Sequence, residues 1–356
     1  MSETNNQQPT TNNQFKPKCM ATAIGSLPNK NADDACKLVL ANLVEAPMWP
    51  QLPKLSYKEN MYVQYSQGMP SMKLVEAKET VVVVDDPSSL EEFYQKYLEE
   101  DIDYFAISKE YAAGLYKMLE LAKEGNLNPP IIKGQITGPI SFALTIKEES
   151  TGKSILFNET YADAITKCLA MKAKWQEKVL KESFPNSRTM IFVDEPYLAS
   201  FGSAFMPVNA ETVIEKLNDC FDAISGLKGI HVCGGTDWSM IMKTKAEVIH
   251  FDAYDFFEGF SAYPQELNAF LDKGGMVGFG IIPNNNQVEQ LNASFILEQF
   301  EYKIDKLRQL GVDVKLLLEK SFVAPNCGCG TMSEDQASKA LILTRELSEL
   351  LRAKYF

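Results

Sequence analysis

The segment Gly229-Ile230-His231-Val232-Cys233-Gly234-Gly235 ends an apolar run with a histidine and a cysteine two residues apart, then two glycines. In extended backbone, residues two apart share a face, so the imidazole and the thiol point the same way. The glycines let the chain turn sharply straight afterwards. The same event recurs along the chain. Short apolar runs end in Gly25-Ser26, in Thr137-Gly138-Pro139, in Asp194-Glu195-Pro196, in Asp252 and, after Pro325-Asn326, in Cys327. Unusual residues at the C-terminal ends of many different strands suit a barrel, which gathers its site on that face. An open doubly wound sheet concentrates its chemistry near one switch point instead.

Working outward, the candidate strands are 19–24, 104–107, 131–136, 190–193, 229–232, 248–251, 276–281 and 321–324. The candidate helices are 32–43, 89–98, 161–181, 210–224, 264–273, 293–310 and 334–353. Apolar residues at Cys36, Val39 and Leu40, and at Leu341, Leu347 and Leu351, give those helices one buried face. Eight buried strands alternating with helices predict an α/β fold, a single (β/α)8 TIM barrel over 19–356. The polar stretch 1–18 lacks an apolar core of its own. It reads as a disordered leader and not as a secretory signal, which points to the cytoplasm.

Bulk composition narrows the function classes. The chain has 356 residues, 45% hydrophobic and 23% charged, enough for a sizeable core. A net charge of -12 argues against nucleic acid and against an anionic membrane surface. There is no apolar run of about 18 residues to span a bilayer. The arginines are Arg188, Arg308, Arg345 and Arg352, too few and too late in the chain for a substrate with many carboxylates. Seven cysteines at irregular spacing favour reduced thiols or metal ligation over a disulfide framework.

Imidazole and thiolates from His231, Cys233 and Cys327 make a soft set that favours zinc. They come from distant strands, which suits a catalytic site with an exchangeable position. The spacing of His231 and Cys233 alone serves a buried core pair equally well. Cys329 stands two residues beyond Cys327 as a second candidate. His250 and Asp252 share a face of the next strand. Asp252 is a candidate fourth ligand or a partner standing behind the ligands, and His250 reads as a core histidine.

Together these pieces resemble the cobalamin-independent methionine synthase family, specifically its C-terminal catalytic barrel. The wider superfamily includes uroporphyrinogen decarboxylase and the methylcobalamin:coenzyme M methyltransferases. The resemblance rests on short motifs in order over nearly the whole chain. They are Thr22-Ala23-Ile24-Gly25-Ser26-Leu27-Pro28, Ile132-Lys133-Gly134-Gln135-Ile136-Thr137-Gly138-Pro139, Val193-Asp194-Glu195-Pro196, His231-x-Cys233, Ala246 to Asp252, and Pro325-Asn326-Cys327-Gly328. The resemblance implies a zinc-dependent methyltransferase with homocysteine as acceptor. It implies zinc on His231, Cys233 and Cys327. It implies contacts from Ile24, Gly25, Ser26 and Asp194 to the carboxylate and amine of the acceptor.

Three departures shape the expectation. The N-terminal half of the full-length family has no counterpart. Asp252 stands where the family has a glutamate ligand. Asn285 falls where the family has a histidine that donates a proton to the departing folate, and an amide is no general acid. A methylated corrinoid leaves without needing that proton. The expected donor is therefore methylcobalamin, not tightly bound, or a methylated corrinoid protein. Alternatives are a corrinoid methyltransferase with another thiol acceptor such as coenzyme M, and a uroporphyrinogen decarboxylase-like enzyme.

Overall fold

The computed structural model describes residues 15–203 and 206–356. Ten strands follow one another in the chain: β1 (Met20–Ala21), β2 (Met72–Val75), β3 (Thr80–Val83), β4 (Ile131–Thr137), β5 (Lys147–Glu148), β6 (Arg188–Asp194), β7 (Leu227–Val232), β8 (Val248–Asp252), β9 (Met276–Ile282) and β10 (Ser321–Pro325). Seven of them form one all-parallel sheet in the order β1-β10-β9-β8-β7-β6-β4. β4, β8, β9 and β10 are buried along their whole length, as strands covered on both faces must be. A side sheet pairs β2 with β3 antiparallel and β3 with β5 parallel.

The curled parallel sheet is TIM-like, but the expected eighth regular strand is absent among the described residues. Residues 104–107 do not supply it. Asp101 caps the amide of Tyr104 and turns Ile102–Phe105 into a 3-10 helix. Residues 45–51 lie in the gap between β1 and β4 instead. Ile131 and Lys133 of β4 donate to the carbonyls of Glu45 and Pro47, and Trp49 donates back to Lys133. On the other side Gln51 exchanges hydrogen bonds with Gly25 and Leu27. Pro47 and Pro50 have no amide hydrogen, so only isolated bridges form there, at Met48–Lys133 and Ser26–Gln51.

The sheet interior is filled in levels. At the N-terminal end Met20, Ile131, Met190, Leu227, Val248, Met276 and Phe322, one from each strand, pack with Phe192 and with Ala46 from the gap segment. Phe15 packs partly under this plug, and the Lys320 ammonium donates to its carbonyl. Residues 15–18 therefore belong to the fold, while 1–14 of the expected leader lie outside the described residues. Strand alternation then places polar residues above the plug: Lys133 and Gln135 on β4, Asp194 on β6, His231 on β7 and His250 on β8. A Cβ added at Gly229 would lie 2.2 Å from the Phe192 ring, so the missing side chain makes room for that ring.

The predicted helices are present, each within a few residues of expectation. The long ones are Glu159–Ser183, Ala293–Gln309 and Glu334–Tyr355. Asn158 and Asn292 cap the first two, and Ser333 with Gln336 forms a capping box on the third. No helix among the described residues is long and apolar enough to cross a membrane.

Candidate metal centre

His231 is the penultimate residue of β7, Cys233 follows that strand, and Cys327 lies two residues past β10. β10 shifts register at Ala324–Pro325, and the chain beyond it bends over the sheet end. The ligand atoms of His231, Cys233 and Cys327 all lie within 4.8 Å of one another. His231 is buried, and both cysteines are half-buried and free. Nδ1 of His231 lies 2.9 Å from Nδ1 of His250. Nε2 of His231 is buried and makes no hydrogen bond among the described residues.

The electrostatics suit a cation. Burial, then the nearby Lys133 charge, push His231 down to about 3, so its imidazole is neutral and has a lone pair to give. The Cys327 thiol donates toward Cys233, which lowers Cys233 and raises Cys327. Cys233 is thus the first of the two to become a thiolate. An orphaned imidazole nitrogen and two convergent thiols fit a zinc ion, with three protein donors and a position left for an exchangeable ligand.

Asp252 does not join this group. One of its oxygens accepts from the amides of Tyr254 and Asp255, both at 2.9 Å, and the other accepts from Asn326 at 3.0 Å. In this arrangement the expected fourth ligand has both oxygens engaged by the loop and stands outside the set whose ligand atoms converge. Burial still raises Asp252 to about 6. Cys329 is excluded as well. It is buried apart from the group, burial pushes its thiol up to about 12, and its amide donates to the Ser26 carbonyl.

The three donors open on a cavity of 660 Å³ that Ile24, Ser26, Asp194 and Pro196 also line. Gly25 stands behind this wall, where a Cβ would come within 2.8 Å of Gln51. Ser26 Oγ accepts from the Gly330 amide, so the serine also pins the loop that carries Cys327. Asp194 is 8% exposed, and its Oδ1 is buried with no hydrogen-bond partner. Burial pushes this carboxyl up, and the charge of Lys133 opposes the shift. The Lys133 ammonium donates to the Ile24 carbonyl and sits 4.4 Å from the centre of the Phe192 ring.

Glu195, next in sequence, faces away from the cavity. It accepts from the amides of Ile140 and Ser141 and from the Ser141 hydroxyl. Burial outweighs these bonds and raises it from 4.5 to about 7. The folded state thus holds a proton that the unfolded chain releases between those values. The resulting stabilisation is complete below about pH 4.5 and is lost as pH rises through 7. Glu195→Gln removes this loss. Its stability relative to wild type should improve by about 3 kcal/mol between pH 4.5 and pH 8 in urea titrations. A constant difference across that range would show that Glu195 is ionised throughout.

Several cavity residues escaped the sequence reading. Lys54, Glu59, Met61 and Asn284 line the same space. Lys54 follows a proline-rich run that gave no periodic signal. Lys133 carried a visible signal, a charge inside an otherwise buried strand. Asn284 donates its side-chain amide to Gly328 O and its backbone N–H to Asn326 Oδ1, which ties the β9 and β10 loops together.

Fold and site together define a TIM-like α/β protein with a His/Cys cluster at its strand ends that could hold a metal ion. No protein-family model matches the chain, and no curated protein matches it. Among solved structures it is similar to a B12-independent methionine synthase from Shewanella sp. W3-18-1, solved in complex with selenomethionine. The TM-score is 0.59 at 15% identity, over 94% of this chain and 98% of that one. At that identity the likeness is one of fold.

Proposed function

We propose that this protein is a zinc-dependent S-methyltransferase that methylates the thiol of homocysteine, with a methylated corrinoid, free or carried on a protein, as donor. The observation that carries the reading is the convergence of His231, Cys233 and Cys327 on the cavity that Asp194 also lines. The structural neighbour's description as a methionine synthase adds support to the acceptor class.

His231 Nε2 and the two cysteine sulfurs would hold the metal, which when bound supplies a centre that favours the thiolate of an acceptor at neutral pH. Asp194, which lines the cavity, pairs with the acceptor's ammonium. Ile24 and Ser26 wall the opposite side and orient the acceptor's carboxylate end. The acceptor's sulfur attacks the methyl carbon. The electron pair of the carbon–cobalt bond stays on cobalt, and the thiol proton passes to solvent.

The donor assignment rests on proton supply. A methylated folate leaves as an amine anion unless its nitrogen is protonated. The chain's two histidines are His231 and His250, and both are buried in the pair described above. Asn285 uses its side-chain oxygen to cap the turn at Gln287. We expect zinc-loaded protein to form methionine from homocysteine and methylcobalamin, and at least about a hundredfold more slowly from methyltetrahydrofolate. Faster turnover with the folate would overturn the donor. No methionine from either donor, with zinc bound, would overturn the acceptor.

A further inference from the structure

We propose that His250 is the positioning residue for the metal ligand His231: it accepts the Nδ1 proton of His231 and so fixes the tautomer whose Nε2 lone pair faces Cys233 and Cys327. This rests on the reading of those three residues as zinc ligands.

Two neutral imidazoles whose Nδ1 atoms lie 2.9 Å apart share one proton between them. If His250 donated it, His231 would carry its own proton on Nε2 and present a donor, not a lone pair, to the two thiols. If His231 donates it, Nε2 is bare, as ligation requires. His250 then carries its own proton on Nε2, which like Nε2 of His231 is buried and makes no hydrogen bond among the described residues.

The seat of His250 is built into the strands. A Cβ on Gly278 would come within 2.9 Å of Cδ2 of His250, and one on Gly280 within 2.8 Å of its Cε1. The two bare backbones on β9 thus confine opposite edges of the ring. The imidazoles meet at 64° with centroids 4.8 Å apart, which aims nitrogen at nitrogen instead of stacking the faces. His250 therefore braces β7, which carries His231, against β9. A residue that reads from sequence as core filler holds the ligand set in register.

The test uses the full chain and zinc alone. Losing an outer partner of a ligating histidine lowers metal affinity by roughly ten- to a hundredfold. Chelator competition should show that loss for His250→Leu. His250→Asn, whose side-chain oxygen still accepts, should recover much of it. Because the chain has only two histidines, nitrogen-15 histidine labelling resolves both rings by NMR without a variant. In the unmutated, zinc-loaded protein His231 should be the Nδ1–H tautomer and His250 the Nε2–H tautomer. Wild-type affinity in His250→Leu, or an Nε2 proton on His231, would overturn the proposal while leaving the zinc site intact. If the unmutated protein binds no zinc, the metal reading falls and takes this inference with it. If His250→Leu does not fold, the NMR result decides.

Discussion

On the proposed function, Cys327→Ala should strip the protein of zinc at micromolar free metal and remove methyl transfer to homocysteine. Structural sites with four ligands bind zinc with roughly 10–16 kcal/mol, so one ligand accounts for about 2.5–4 kcal/mol. Losing it weakens binding by roughly 10²–10³-fold. The centre has three donors within reach of one another, so no neighbour takes over: Asp252 is committed to two amides and Asn326, and Cys329 lies buried elsewhere. Metal content after desalting and affinity by chelator competition measure the effect. Cys329→Ala is the control and should keep its zinc. A Cys327→Ala protein that retained zinc at wild-type affinity would remove that residue from the centre.

The second large effect concerns Asp194 and Lys133. Lys133 is fully buried, and Asp194 is the nearby opposite charge. Replacing Asp194 with Ala leaves a buried ammonium with only a carbonyl and an aromatic face. Breaking a buried pair destabilises by about 3–5 kcal/mol. The lower figure applies here, because Lys133 keeps its bond to Ile24. Acceptor binding suffers separately. A hydrogen bond to a charged group is worth about 1.5–3 kcal/mol, so the KM for homocysteine should rise about 10- to 150-fold. The double variant Asp194→Asn with Lys133→Met separates the two roles. Urea titration should show most of the stability restored, while the KM stays high. A KM restored along with stability would mean that Asp194 serves Lys133 and not the acceptor.

The chain's pattern made the parallel sheet and its helices legible, because β6, β9 and β10 carry unbroken nonpolar runs, and β4 and β8 are apolar around Lys133, Gln135 and His250. The metal donors were legible for a related reason. Alternation puts His231 and Cys233 on one face whatever the rest of the fold does, and Cys327 follows a strand in a glycine-flanked turn. What depends on neighbouring strands was not legible. The register that sets His231 beside His250 decides whether His250 fills space or holds a ligand, and no property of the β8 sequence states it. Asp252 sat on the expected face, yet two nearby amides and Asn326 engage its oxygens. The gap segment was hidden by its prolines, and 104–107 imitated a strand until Asp101 turned it into a helix. Lys54 came with that hidden segment.

The proline-broken segment 45–51 divides the sheet mechanically. From β6 through β10 every strand is joined to the next by a continuous ladder, and the donor-bearing strands β7 and β10 lie inside that block. Ile24, Ser26, Gln51 and Lys54 line the cavity from the other side, on backbone held by isolated bridges. Local opening is easiest where backbone pairing is sparse. The molecule therefore has a stiff half that keeps three donors at fixed separation and a compliant half that faces the incoming molecules. For the proposed function, a site that receives a small thiol and a bulky methyl carrier in turn can change its width on one side without disturbing its chemistry on the other.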